Sequence, residues 1–158
     1  MTVQVVWFKR DLRLFDHAAL TEAAKRGPVL PLFVVEPEYW TLPDTSARQW
    51  LFWRGCIDSL SVEIADAGGA LLIRQGSVAE VLDDLLKQIG HFDLWSHEET
   101  GNAWSYARDR QVKAWCRTKG VSWSEQRQFG VFRGRNQNRD QWAKRWDRMM
   151  QADRKSVV

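Results

Sequence analysis

Apolar positions along the chain follow two alternating patterns. Short β-branched runs predict strands at Val3–Phe8, Val29–Val35, Ala70–Arg74, Asp93–Ser96 and Val121–Glu125. Longer stretches with apolar residues every three to four positions predict helices at His17–Arg26, Ala47–Asp66, Val78–Ile89 and Ala103–Lys119. Several boundaries have a chemical cause. Asp16 is placed to cap the first helix and Gly27-Pro28 to stop it; Gly68-Gly69 end the second, Ser77 caps the third, and Gly90 and Gly120 follow the last two. Asp93–Ser96 is the weakest strand, short and only partly apolar. After Phe132 the sheet pattern stops. One helical stretch remains there, Asp140–Met150, with Trp142 and Trp146 on one face by their i, i+4 spacing.

Strands alternating with helices predict a doubly wound α/β fold, Rossmann-like, with a five-stranded parallel sheet in the order 3-2-1-4-5 and helices on both faces. That order reverses between strands one and four, and ligands of such sheets bind outside the strands' carboxyl ends at the reversal. The carboxyl end of strand one reads FKRDLR and that of strand four SHEETGN, so the two most polar junctions of the chain face each other.

Composition narrows the setting. The 158 residues suffice for one hydrophobic core. No apolar run reaches the ~20 residues of a membrane span, and the start lacks a signal-peptide core, which predicts a cytoplasmic protein without membrane contact. Cys56 and Cys116 fall in helical patterns without metal-ligand spacing and read as buried thiols of a reducing compartment. The net charge of +3 is unevenly placed: residues 133–158 hold eight Lys+Arg and three Asp+Glu, leaving −2 for the body. A surplus confined to the tail disfavours nucleic-acid binding by the body.

The turn after strand one has no glycine, which removes both the dinucleotide fingerprint and the phosphate loop. No nucleophile elbow, HExxH or paired-cysteine site occurs, so neither catalytic residues nor a metal site are predicted. His17, His91 and His97 are scattered, and His17 at a helix start reads as structural. Two readings of KRDLR stay open: charges paired with one another at the sheet rim, or a rim facing a ligand. Glu98 and Glu99 are either solvated or part of that rim, and Asn102 is either a helix cap or a contact. Trp50 and Trp53, three apart, read as core before ligand platform. The tail helix is either a linker that packs on a second domain or a helix docked on its own sheet.

The segments VVWFKRDLRLFDHAAL, VLPLFVVEP, SARQWLFWRGCIDSL, LLIRQGSVAEVLDDLL and SYARDRQVKAWCRTKGV, in this order, resemble the N-terminal domain of the photolyase/cryptochrome family. The resemblance runs through Phe132. It implies an α/β antenna domain over residues 1–132, the start of an interdomain linker over 133–158, and a helical FAD-binding domain that this chain lacks. Full-length members repair UV-induced pyrimidine dimers in DNA with blue light or act as light sensors. The partners implied are the chain's own C-terminal FAD domain and, through it, UV-damaged DNA. For this chain the resemblance implies the antenna domain of a deoxyribodipyrimidine photolyase, inactive alone, with a cryptochrome signalling through proteins as the alternative and a free-standing nucleotide-binding module third.

By position, the antenna pocket would use Phe8, Lys9, Arg10 and Asp11 after strand one. Val35, Glu36 and Pro37 after strand two, Arg48, and Glu99, Thr100, Gly101 and Asn102 would complete it. The implied chromophore is a deazaflavin, FMN or a lumazine. Trp104 and Ser105 stand where folate-binding members carry Asn-Glu, which points away from folate, and Trp104 could fill a pocket edge. The residue near Thr100 departs from the deazaflavin binders, and His17 replaces a commoner Asn. The tail tryptophans are expected to be mobile or to support weak self-association when no second domain covers them.

Overall fold

The computed structural model describes residues 1–131, 133 and 138–151. The elements are β1 (Val3–Phe8), α1 (Ala18–Ala24), β2 (Val29–Val35), a 3-10 turn (Pro37–Thr41), α2 (Ala47–Asp66), β3 (Leu72–Gln75), α3 (Val78–Ile89), β4 (Phe92–His97), α4 (Ala103–Lys119), β5 (Trp123–Gln126) and α5 (Arg139–Met150). All strand pairs are parallel and the order is β3-β2-β1-β4-β5, as the pattern predicts.

Alternation along β1 sorts the core into two layers. Val5 and Trp7 face α3 and α4, where Val81, Leu82, Leu85 and Val112 pack on them. Val6 and Phe8 face the other way, onto Ala19, Leu20 and Ala23 of α1 and Ile57, Leu60 and Ile64 of α2. The carboxyl ends of β1, β2 and β4 therefore meet between the helix layers.

Local chemistry sets most boundaries. Ser46 accepts the Gln49 amide, Asn102 accepts the Ser105 amide, and Ser77 forms a reciprocal capping box with Glu80. Gly120 ends α4 in the left-handed region at φ 69°, a conformation that favours glycine. Four expectations need correction. Asp16 does not cap α1; it sits at φ 52° and His17 is the cap, its ring accepting the Leu20 amide. β3 starts at Leu72, where its ladder with Leu32 begins, so Ala70 and Leu71 belong to the connection. β5 starts at Trp123, because the Val121 amide closes the end of α4 on Cys116. β4, expected to be the weakest strand, is six residues long and paired on both sides.

Both cysteines are free, Cys116 buried as expected and Cys56 only half-buried. No helix among the described residues is long and apolar enough to cross a membrane. In α5 the Trp142 and Trp146 rings stack with centroids 6.3 Å apart, and Trp142 Nε1 donates to the Gly130 carbonyl at 3.0 Å. Each ring stays 40% exposed, so the pair leans on the chain's own turn after β5 without being covered.

A Cβ at Gly130 would run into the Trp146 indole. Gly130→Ala is expected to speed amide exchange in α5 and red-shift tryptophan emission while the sheet's melting temperature stays within a degree or two. Unchanged exchange in α5 would show that the Gly130 contact does not hold the helix.

Candidate functional site

β1 runs apolar to Phe8 and then meets a charge network. Lys9 folds back inside, its Nζ 3.2 Å from Asp109 and 3.9 Å from Glu125. The same ammonium lies 4.4 Å from the Trp7 ring centroid and 5.4 Å from that of Trp123. Burial lowers the Lys9 pKa, and Asp109 only partly opposes this. One turn into α4, Arg108 reaches Glu36 at 2.8 Å and Asp109 at 2.9 Å and also pairs with Glu99. Arg133 adds contacts to Asp109 at 2.6 Å and Glu125 at 3.0 Å. Arg10 bonds Glu99 at 2.8 Å and the Tyr39 hydroxyl at 2.8 Å. Lys9, Arg10, Arg108 and Arg133 thus face Glu36, Glu99, Asp109 and Glu125, four charges of each sign.

The balance is uneven in space. Burial alone would lower the Arg108 pKa, but the three carboxylates around it raise it. Burial pushes the Glu36 carboxyl up to about 7; Arg108 opposes this, while Glu99 and Asp109 add to it. A guanidinium shared among three carboxylates leaves the outermost short of compensation.

Asp11 turns the other way. Its Oδ1 accepts the Lys9 amide at 2.7 Å, and its Oδ2 lies 2.6 Å from His97 Nδ1 and 2.8 Å from His17 Nε2. The His17 contact is close but poorly directed as a hydrogen bond. Burial alone would raise Asp11, but the two imidazoles hold it far below the usual carboxylate range. Burial lowers His97. The three donor atoms lie within 4.8 Å of one another, a spacing that a metal could use. Against a metal, His17 Nδ1 accepts the Leu20 amide at 3.1 Å, so its proton sits on Nε2. Binding a metal there would require an imidazolate or the loss of the α1 cap. The cluster therefore ties the turn after β1 to the start of α1 and to β4.

The remaining space is divided. Phe8, Lys9, Arg10, Glu36 and Glu99 line a cleft that Tyr39, Trp40 and Trp53 fill, leaving about 20 Å³. That is room for about one water. Tyr39 stacks on Trp53 at 5.9 Å and meets Trp104 at 5.3 Å. Beside it, sharing Glu36 and Arg108, a groove of about 390 Å³ runs between the β2 end, Ser77 at the start of α3, and Trp104 and Gln111 of α4. Ligand pockets span roughly 300–1,000 Å³, so as it stands the groove has the size for a ring ligand and the cleft does not.

Of the residues assigned from the sequence, Phe8, Lys9, Arg10, Glu36 and Glu99 converge on the cleft, and Pro37 lies with Glu36 in the groove. Asp11 is buried behind it, and Val35 is a half-buried strand end paired with Gln75. Thr100 lines a neighbouring small pocket that shares Lys9, Arg10 and Glu99 with the cleft and adds His97 and Gln128. Gly101 packs against Ser105, and Asn102 is used as the α4 cap and in a 2.9 Å bond to Asp44. Arg48 is exposed on the first turn of α2, outside cleft and groove. The sequence reading missed Tyr39, Arg108 and Asp109. A usable signal was the spacing of Trp104 and Arg108, one turn apart just after the Asn102 cap.

Parallel order and a charged carboxyl edge beside a ligand-sized groove define a doubly wound α/β domain. The family profile described as DNA photolyase matches residues 4–148, and the chain belongs to that family. It is 32% identical over 106 residues to Cryptochrome DASH of Oryza sativa, covering 62% of this chain and 18% of that protein. It is 31% identical over 122 residues to the deoxyribodipyrimidine photo-lyase of Agrobacterium fabrum, covering 75% and 24%. A bacterial class III photolyase from Agrobacterium tumefaciens superposes with a TM-score of 0.76 at 25% identity, over 89% of this chain and 29% of that one. An archaeal photolyase from Sulfolobus tokodaii, described with two FAD molecules, shares the fold at a TM-score of 0.75 and 18% identity, over 99% of this chain and 37% of that one. The chain spans 18% and 24% of the lengths of the two curated relatives named here.

The Glu36 carboxyl yields a stability prediction. Its folded pKa of about 7 exceeds the ordinary 4.5, so between those values the folded state holds a proton that the unfolded state has released. Its contribution is complete below about pH 4.5 and is lost as pH rises through 7. Relative to wild type, Glu36→Gln should be near neutral at pH 4.5 and stabilising by about 2–3 kcal/mol at pH 8, measured by urea unfolding. A difference that is independent of pH would show that Arg108 keeps Glu36 ionised throughout.

Proposed function

We propose that this domain carries a light-harvesting ring chromophore and serves a longer deoxyribodipyrimidine photolyase, which repairs cyclobutane pyrimidine dimers in DNA with blue light. In this reading the chromophore passes excitation to an FAD held by a helical domain, and that second domain supplies the DNA contact. The α/β domain alone splits no dimers.

The observation that supports this reading is the groove beside the filled cleft. Trp104 offers a ring face, Arg108 a largely covered guanidinium and Glu36 a carboxyl that titrates near neutrality. This set suits a flat conjugated ring with carbonyl and N–H edges, as in a deazaflavin, FMN or a lumazine. Folate ranks lower, since Trp104 and Ser105 occupy the positions of the Asn-Glu pair. When bound, the ring supplies absorption in the blue, while the protein's own residues bind and orient it. A cryptochrome acting through protein partners is the second reading, favoured by the cryptochrome DASH relatives.

Titration of the domain with FMN, a deazaflavin and methenyl folate, followed by quenching of tryptophan emission, tests the site. A flavin-type ring should bind best, Trp104→Ala should weaken it several-fold, and Arg48→Ala should leave it unchanged. Preference for folate, or binding indifferent to Trp104, would contradict the proposal.

A further inference from the structure

We propose that the outer face of α4 binds the sugar-phosphate backbone of single-stranded nucleic acid. Tyr106, Arg110, Lys113 and Arg117 recur at i, i+4, i+7 and i+11, which keeps all four within one narrow stripe of the helix. Tyr106 is 56% exposed, and the three cations are exposed as well. None of these three cations makes an ion pair among the described residues, whereas Lys25, Lys87 and Lys119 all pair with nearby acids.

The stripe differs from the other helix surfaces in its acids. The single acid of α4, Asp109, is buried and held by Lys9, Arg108 and Arg133. By contrast, α2 presents Asp58, Glu63 and Asp66, and α3 presents Glu80 and Asp84. Acids bordering the stripe are already engaged: Glu125 by Arg133 at 3.0 Å, and Asp83 by Lys119 at 2.6 Å and Lys87 at 3.1 Å. The helix dipole accounts for cations in the last turn, Arg117 and Lys119, but not for Arg110 and Lys113 further in. The body's total of −2 disfavours nucleic-acid binding over its surface as a whole, but the charge is unevenly placed and this one face carries +3.

Spacing and chemistry select the partner. Arg110, Lys113 and Arg117 are spread over about 10 Å of helix axis, so they can follow the backbone of one extended strand and meet its successive phosphates. Lys113 and Arg117 also flank a furrow of about 200 Å³ against the edge strand, walled by Trp123 and Val121. Tyr106 continues the stripe and provides a ring on which an unpaired base can stack. The stripe has no aliphatic anchor of the kind that a protein partner would bury. This inference is independent of any ring chromophore.

Fluorescence anisotropy of a fluorescein-labelled 20-mer of deoxythymidine tests it, with fold checked by circular dichroism. The α4 variant carries Arg110→Gln, Lys113→Gln and Arg117→Gln; a matched α5 variant, also losing three cations, carries Lys144→Gln, Arg145→Gln and Arg148→Gln. The α4 variant should weaken binding at least tenfold in 50 mM salt and reduce the log–log salt slope by about 2. The α5 variant should bind within about threefold of wild type, and Tyr106→Ala should cost about fivefold or more. Wild-type binding by the α4 variant, or loss confined to the α5 variant, would overturn the assignment. Polyglutamate competing as well as unlabelled oligonucleotide would overturn it in favour of an acidic protein.

Discussion

The carboxyl edge of this sheet depends on one largely covered guanidinium. Arg108 joins Glu36 from the β2 end, Glu99 from the loop after β4 and Asp109 of its own helix, so one cation ties the β2 end to the β4–α4 junction. Without it, Glu36 would keep no cation among the described residues, while Glu99 would retain Arg10 and Asp109 would retain Lys9 and Arg133; an uncompensated charge largely out of water costs several kcal/mol. Lys9 and Arg133 complete the set from below and behind. This explains why an apolar strand stops abruptly in Lys9-Arg10-Asp11. The strand's last apolar residue reaches the edge of the core, and the next ones supply compensation for acids delivered by its neighbours.

The same edge shapes the binding space. Arg10, fixed by Glu99, holds the Tyr39 hydroxyl, and Tyr39 stacks on Trp53, closing the cleft directly above β1. Arg108 and Trp104 face the other side and leave the neighbouring groove open. The topological reversal and the usable ligand space are therefore adjacent but distinct. Asp11, clamped by two imidazoles, anchors the turn from which Lys9 and Arg10 project.

The fold was legible because its signals are local. Val3–Phe8, Val29–Val35 and the helices Ala47–Asp66, Val78–Ile89 and Ala103–Lys119 carry clear periods bounded by Ser46, Ser77, Asn102 or glycine. Errors arose where a tertiary partner decides. Asp16 has the composition of a cap, but the Asp11 carboxylate draws in His17, whose other nitrogen then takes the cap position. Asp93–Ser96 looked weak because one residue at each end is recruited by pairing with β1 and β5. At the site, charged residues at strand ends were found, while Arg108 was not. Within a helix an arginine resembles any solvated residue, and only the meeting of Glu36 and Glu99 in space marks it as central. The aromatic fill of the cleft was equally hidden: Trp53 reads as core from its spacing, and nothing local shows that it and Tyr39 close a ligand-shaped space.

A double-mutant cycle on Arg108 and Glu36 tests the central claim most directly. Arg108→Met retains much of the side chain's apolar stem and removes its charge. It should destabilise the domain at pH 7 by about 3–5 kcal/mol in urea unfolding, since the carboxylates lose their shared partner. Adding Glu36→Gln should recover more stability in the Arg108→Met background than it contributes to wild type. Strict additivity, or an Arg108→Met protein as stable as wild type, would show that the edge is held by packing rather than by this cation.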